Sequence, residues 1–174
     1  MFNSAFDGEG AAEGDYYPEA KRSEIDALNE RIYATVNNGV YKAGFATTQE
    51  AHDTAVATLF ETLDWLEALL SRQRYLTGDD ITEADWRLFT TLIRFDAVYH
   101  GHFKCNLRRL IDYPALMRFT RSLYGVPGVA ETVDFDHIKR HYYLSHPWLD
   151  PTGIVPVGPA LDEWAARADC AFVR

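Results

Sequence analysis

Cysteine is almost missing from this chain. Cys105 and Cys170 are the two present in 174 residues. They form no CxxC and no Cys/His zinc spacing, so a reducing, cytoplasmic compartment is the expectation. Basic residues are also scarce: 17 Lys and Arg face 26 Asp and Glu, a formal net charge of -9. That balance excludes nucleic acid or an anionic membrane as the main partner, since either needs a basic footprint. No stretch approaches the roughly 20 apolar residues of a membrane span. The opening "MFNSAFDGEGAAEGDYYPEA" lacks a basic n-region and an apolar h-region, so it is not expected to be a signal peptide. Sustained apolar/polar alternation is missing too, which leaves an all-α fold, and no internal repeat is visible.

What is plentiful is aromatic. Phe, Trp and Tyr make up 14% of the chain and tyrosine alone occurs ten times, which points to aromatic packing or an aromatic-lined cavity. With 47% hydrophobic and 25% charged residues the composition is globular, and the length suits one domain with a real core.

Helical spacing recurs along the chain. Residues 1–16 are rich in Gly, Ala and acids and read as a flexible arm. Pro18 suits a first helical position, and Ile25, Leu28, Ile32 and Val36 make an amphipathic stripe. That helix is expected to stop at Asn37-Asn38-Gly39, whose residues tolerate left-handed backbone. Thr47 and Glu50 have capping-box spacing for a second helix with a Val56, Leu59, Phe60, Leu63, Leu66, Leu70 stripe. Its end falls near Arg72–Arg74, where cations favour the carboxyl terminus. A third helix opens within "YLTGDDITEADWRLF". Asp112 and Pro114 start a fourth, with Leu116, Phe119 and Leu123 inward, and a shorter one covers "DFDHIKRHYY". The proline-rich "HPWLDPTGIVPVGP" begins an extended tail, residues 148–174.

Two stretches carry more than packing. In "VNNGVYKAGFATTQEA" the Asn38-Gly39 turn and a close approach at Gly44 would hold Tyr41 on a sharp corner, aimed into a cleft. In "GDDITEADWRLF", Thr82 and Asp85 form a capping box, with Ile81 and Trp86 placed for a hydrophobic staple. Trp86 and Phe95 read as helix core, Arg94 and Asp96 as a solvated charge pair, and Lys42 either as an exposed lysine or as a cation steering an anionic ligand. Six histidines raise a metal reading: His100 and His102 form HxH, and His137 and His141 share a helix face. Asp134, Asp136 and His146 are only loose further candidates, and without HExxH no metal site is assigned.

"YLTGD" before that capping box, with an apolar helix after it, resembles the carboxyl-terminal helical domain of glutathione transferases. "VNNGVYKAGFATTQEA", "RYLTGDDITEADWRLFTTLIRFDAVYHGHFKCN", "GVAETVDFDHIKRHYYLSH" and "DPTGIVPVGP", in this order, look like the glutathionyl-hydroquinone reductases, the xi-class transferases. The resemblance runs from about Phe2 to Pro159. It implies a helical bundle over residues 17–147, the substrate-binding domain of an enzyme that removes glutathione from glutathionyl-hydroquinones. Tyr41 matches the family's proton donor or acceptor. Tyr99 and Tyr142 match tyrosines that lower the pKa of the active cysteine, although "AVYHGHF" and "RHYYLSH" also suit core aromatics.

In that family the nucleophile sits in a Cys-Pro motif of an amino-terminal thioredoxin-like domain that binds glutathione. This sequence has no Cys-Pro and starts where the helical domain would start. Cys105 matches a helical-domain position, not the nucleophile, and Cys170 finds no match. The expectation is a domain that is not catalytic alone. It would bind no cofactor by itself, with glutathione as co-substrate of the complete enzyme. Its expected partners are an aromatic hydroquinone, a second copy of itself and a separate thioredoxin-like domain. The alternative is a non-catalytic module for dimerisation or aromatic-ligand binding.

Overall fold

The computed structural model describes residues 7–10 and 14–159. Their α-helices are α1 (Arg22–Ile32), α2 (Gly39–Gly44), α3 (Gln49–Leu70), α4 (Glu83–Arg94), α5 (Pro114–Tyr124) and α6 (Phe135–Ser145). Two π-helical segments join them, Tyr33–Asn37 after α1 and Phe95–Tyr99 after α4. Among the described residues there is no strand, only an isolated bridge between Tyr75 and Gly78. The all-α expectation holds.

α3 is the spine. Val56, Leu59, Phe60, Leu63, Leu66 and Leu70 are all buried, and each such side chain contributes about 1.5–3 kcal/mol through area removed from water. The polar edge of α3 also works. Glu67 accepts the amides of Ala115 and Leu116, both at 2.8 Å. These are orphan donors of the first turn of α5, which Pro114 opens. Asp112, the residue expected to start that helix, instead accepts from the Arg109 amide at 2.9 Å within the preceding 3-10 turn. At the other end of α3 the cation is not Arg72 or Arg74. Arg118 reaches across from α5 to donate to the Leu70 carbonyl.

α4 enters the core through its amino-terminal cap. The Thr82–Asp85 capping box is formed. Asp85 is fully buried, and its carboxylate accepts from Thr82 N at 2.7 Å, the Thr82 hydroxyl at 2.9 Å and Leu76 N at 2.8 Å. Burial pushes its pKa above the ordinary value, against those hydrogen bonds, which pull it down.

Several local expectations shift. A 3-10 turn, Glu19–Lys21, separates Pro18 from α1. The cap of α3 is Thr48, not Thr47: its hydroxyl accepts from Ala51 N at 3.2 Å. No tight turn exists at Asn38-Gly39. Asn38 has right-handed helical backbone, φ -83° and ψ -22°, and the chain runs from α1 through a π segment into α2. The extra residue of a π turn replaces the break that two asparagines and a glycine suggested. Gly44 does mark a close approach, because a Cβ there would lie 2.3 Å from the Phe103 ring. Beyond α6 the chain has no further helix up to Pro159, and Lys139 Nζ holds it by donating to the carbonyls of Pro156 and Val157 at 3.1 and 3.0 Å. Cys170 lies outside the described residues.

Replacing Asp85 by Ala would strand two buried amides and is expected to cost about 3 kcal/mol in urea denaturation. The glycines should respond with opposite signs. Gly39→Ala, with Leu59 at an ordinary 3.7 Å, should stabilise by about 0.5 kcal/mol. Gly44→Ala should destabilise by about 2–3 kcal/mol through overpacking against Phe103.

Candidate active site

Three tyrosines that are distant in sequence meet at one wall. Tyr41 lies on α2, just past the first π segment. Tyr99 closes the second π segment, and Tyr142 stands on α6. The Tyr142 hydroxyl is 2.6 Å from that of Tyr41 and 2.8 Å from that of Tyr99. Tyr142 is therefore the hub of a continuous row of phenols. Phe103 fixes the row from behind, stacked on Tyr99 at 5.5 Å and edge-on to Tyr41 at 5.3 Å between ring centroids. Gly44, by lacking a side chain, is what lets Phe103 sit there.

Burial orders this row. Tyr99 is 2% exposed and Tyr142 7%, while Tyr41 is half-buried. Burial pushes the pKa of both Tyr99 and Tyr142 above the ordinary 10. In the run of donors that suits this gradient, Tyr99 donates to Tyr142, which lowers the Tyr142 pKa, and Tyr142 donates to Tyr41, which raises it. Each phenol has one proton to donate. The spare donor is then Tyr41, the outermost member, and hydrogen bonds in series polarise one another.

All three tyrosines line an open cavity of about 1440 Å³ bounded by the first π segment, α4 and α6. Tyr33, Trp86 and Phe89 give it an aromatic side, and His137 and His141 line α6. Trp86 is thus a cavity residue as well as a packed one, whereas Phe95 is wholly core. Asn37 bridges the walls: its amide donates to Thr91 Oγ1 at 2.6 Å and to the Arg87 carbonyl at 3.1 Å.

Other candidates take different places. Arg94 and Asp96 are not a solvated pair. Asp96 accepts the amides of Leu110 and Ile111 at 2.5 and 3.2 Å, and Arg94 lines the cavity. Lys42 donates to the Ala34 carbonyl at 2.9 Å, bracing the first π segment. His102 pairs with His146, Nε2 to Nδ1 at 3.0 Å. Burial lowers both their pKa values, favouring neutral rings. Among the described residues no group of three His, Cys, Asp or Glu is placed to hold a metal ion. Cys105 is fully buried, its sulfur 3.9 Å from the carbonyls of Val40 and Phe103, and burial pushes its thiol up to about 12. Such a thiol is inert at neutral pH. Sequence reasoning missed Phe103 and Asn37. Gly44 was the available signal for Phe103, and nothing in the local pattern announced Asn37.

Raised phenol pKa values carry a sign. The unfolded chain loses these protons first, so the stability held by the neutral row is complete below pH 10 and is lost as pH rises above it. Urea midpoints should fall between pH 9 and pH 11, by about 1 kcal/mol or more in stability. In Tyr142→Phe, less stable at pH 9, that decline should be flatter.

The family model described as the glutathione S-transferase C-terminal domain matches residues 49–122. Glutathionyl-hydroquinone reductase PcpF of Sphingobium chlorophenolicum is 61% identical over 160 residues, spanning 92% of this chain and 51% of that protein. The glutathione-bound structure of YqjG, a glutathione transferase homolog from Escherichia coli K-12, superposes with a TM-score of 0.89. It is 60% identical and covers 91% of this chain and 52% of its own. Glutathione-S-transferase Xi from Phanerochaete chrysosporium gives 0.89 at 53% identity, covering 93% and 53%. The chain spans about half the length of these relatives. No helix among the described residues is long and apolar enough to cross a membrane. Residues 49–122 of the bundle thus match the glutathione S-transferase C-terminal domain, and the chain as a whole is similar to about half the length of glutathionyl-hydroquinone reductases and Xi-class glutathione transferases.

Proposed function

We propose that this chain is the aromatic-substrate half of a glutathionyl-hydroquinone reductase. The observation that carries the reading is the row of Tyr99, Tyr142 and Tyr41 hydroxyls at the wall of an aromatic-sided cavity. Cys105 is too buried and too weakly acidic to be the nucleophile. We place the reacting thiolate and the glutathione site in a thioredoxin-like domain, outside the segment that matches here.

The chemistry then divides cleanly. The thiolate attacks the sulfur of the glutathionyl-hydroquinone, and a sulfur–sulfur bond forms. The ring carbon–sulfur bond breaks, its electron pair goes to the ring carbon, and that carbon takes a proton from Tyr41. A second glutathione opens the mixed disulfide, giving glutathione disulfide and the free thiolate. Tyr142 and Tyr99 support both ends of this exchange. Phenol donors near a sulfur favour its thiolate, and the proton that Tyr41 gives up is replaced by the one the second glutathione thiol loses when it attacks. Dimerisation through the helical domain and residence in the cytoplasm belong to this reading.

The test uses the chain as it stands. Menadiol, kept anaerobic, should bind and quench the intrinsic fluorescence, and Trp86→Ala should weaken binding about tenfold. Glutathionyl-menadiol with glutathione should release no menadiol. Turnover that Cys105→Ser abolishes would overturn the placement of the thiol. Failure of menadiol to bind would remove the aromatic-substrate reading itself.

A further inference from the structure

Arg94 is the charge in this cavity that no role yet explains. It closes α4 and leads into the second π segment, and its Nη1 donates to the Thr90 carbonyl at 2.5 Å, one turn back. That bond holds the guanidinium to the wall and uses one of its five N–H groups. The other charges lining the cavity are engaged. Arg87 pairs with Glu83 at 2.5 Å. Asp134 caps α6 by accepting from His137 N at 2.9 Å. Asp96, two residues from Arg94, is committed to the amides of Leu110 and Ile111. Among the described residues Arg94 has no carboxylate within ion-pair distance.

A half-buried cation without a counter-ion is costly, and an anion entering the cavity would relieve that cost. Spacing sets the size of the guest. Trp86, Thr90 and Arg94 line the cavity at i, i+4 and i+8 on one helix, so about 12 Å of wall separates the indole from the guanidinium at their backbones. A fused two-ring arene carrying an acid group spans most of that distance. Arg94 also reaches the reacting end of the site, since its charge acidifies the Tyr142 phenol against the larger effect of burial.

We propose that Arg94 is a specificity-determining residue, and that the cavity prefers two-ring aromatic ligands bearing a carboxylate. The guanidinium fork fits a carboxylate with two parallel hydrogen bonds, while Tyr33, Trp86 and Phe89 take the rings. This rests on the aromatic-substrate reading above and deepens it by naming the substituent.

The experiment compares 2-naphthoate with its neutral counterpart, 2-naphthamide, by fluorescence titration of the whole chain at neutral pH. Naphthoate should bind about tenfold tighter. Arg94→Gln should remove that preference and leave naphthamide affinity unchanged, while Arg94→Lys should keep part of it. Equal affinities in the unaltered chain would overturn the proposal, as would a preference that survives Arg94→Gln or a variant that weakens both ligands alike. Naphthamide that binds without any preference sinks the Arg94 assignment alone. If neither compound binds, the aromatic cavity reading falls and takes the assignment with it.

Discussion

One buried carboxylate underlies the arrangement of the site. Asp85, fully buried, gathers two backbone amides and a hydroxyl. Its ionised form is opposed by burial and sustained by those three donors. The outcome is a fixed starting point for α4, tied to the loop at Leu76. Everything that α4 contributes downstream, the Trp86 indole, the Arg94 guanidinium and then Tyr99, inherits its position from that cap. A helix that began one residue later would present a different face to the cavity.

The phenol row is a second consequence of burial. It is dry at the Tyr99 end and open at the Tyr41 end, so its members differ in solvation though not in chemistry. Such a row has two settings. With all three hydroxyls turned one way the outer member offers a proton. Turned the other way, it offers a lone pair. A wall of this kind can present either a hydrogen-bond donor or an acceptor to a ligand without any phenol becoming charged, which suits a low-polarity site.

Much of the fold was legible because it is local. The apolar stripe of α3 follows helical spacing over about four turns, and the Thr82–Asp85 box is written in four consecutive residues. What could not be read involved partners far away in the chain. Glu67 caps α5 across 48 and 49 residues, and Arg118 closes α3 from a neighbouring helix. Thr47 and Thr48 are chemically equal, and only backbone geometry chooses Thr48. Tyr41, Tyr99 and Tyr142 were singled out through family resemblance. Spacing alone gave no reason for them to converge, because the π segments that rotate two of them into place leave no composition signal. Arg94 and Asp96 were misread as a pair because adjacency in sequence hid the fact that one faces a cavity and the other a turn.

Those π segments make the site count residues. An α-helix turns about 100° per residue, so one residue added to or removed from either segment swings every later side chain by that angle. Tyr41 follows the first, and Tyr99 closes the second. Exchanging one side chain for another in these stretches alters local packing and leaves the register intact. A change of length does the reverse: it keeps every side chain and dismantles the constellation. In relatives that keep this chemistry, the first stretch should vary in letters at its exposed positions, and both should hold their number of residues fixed.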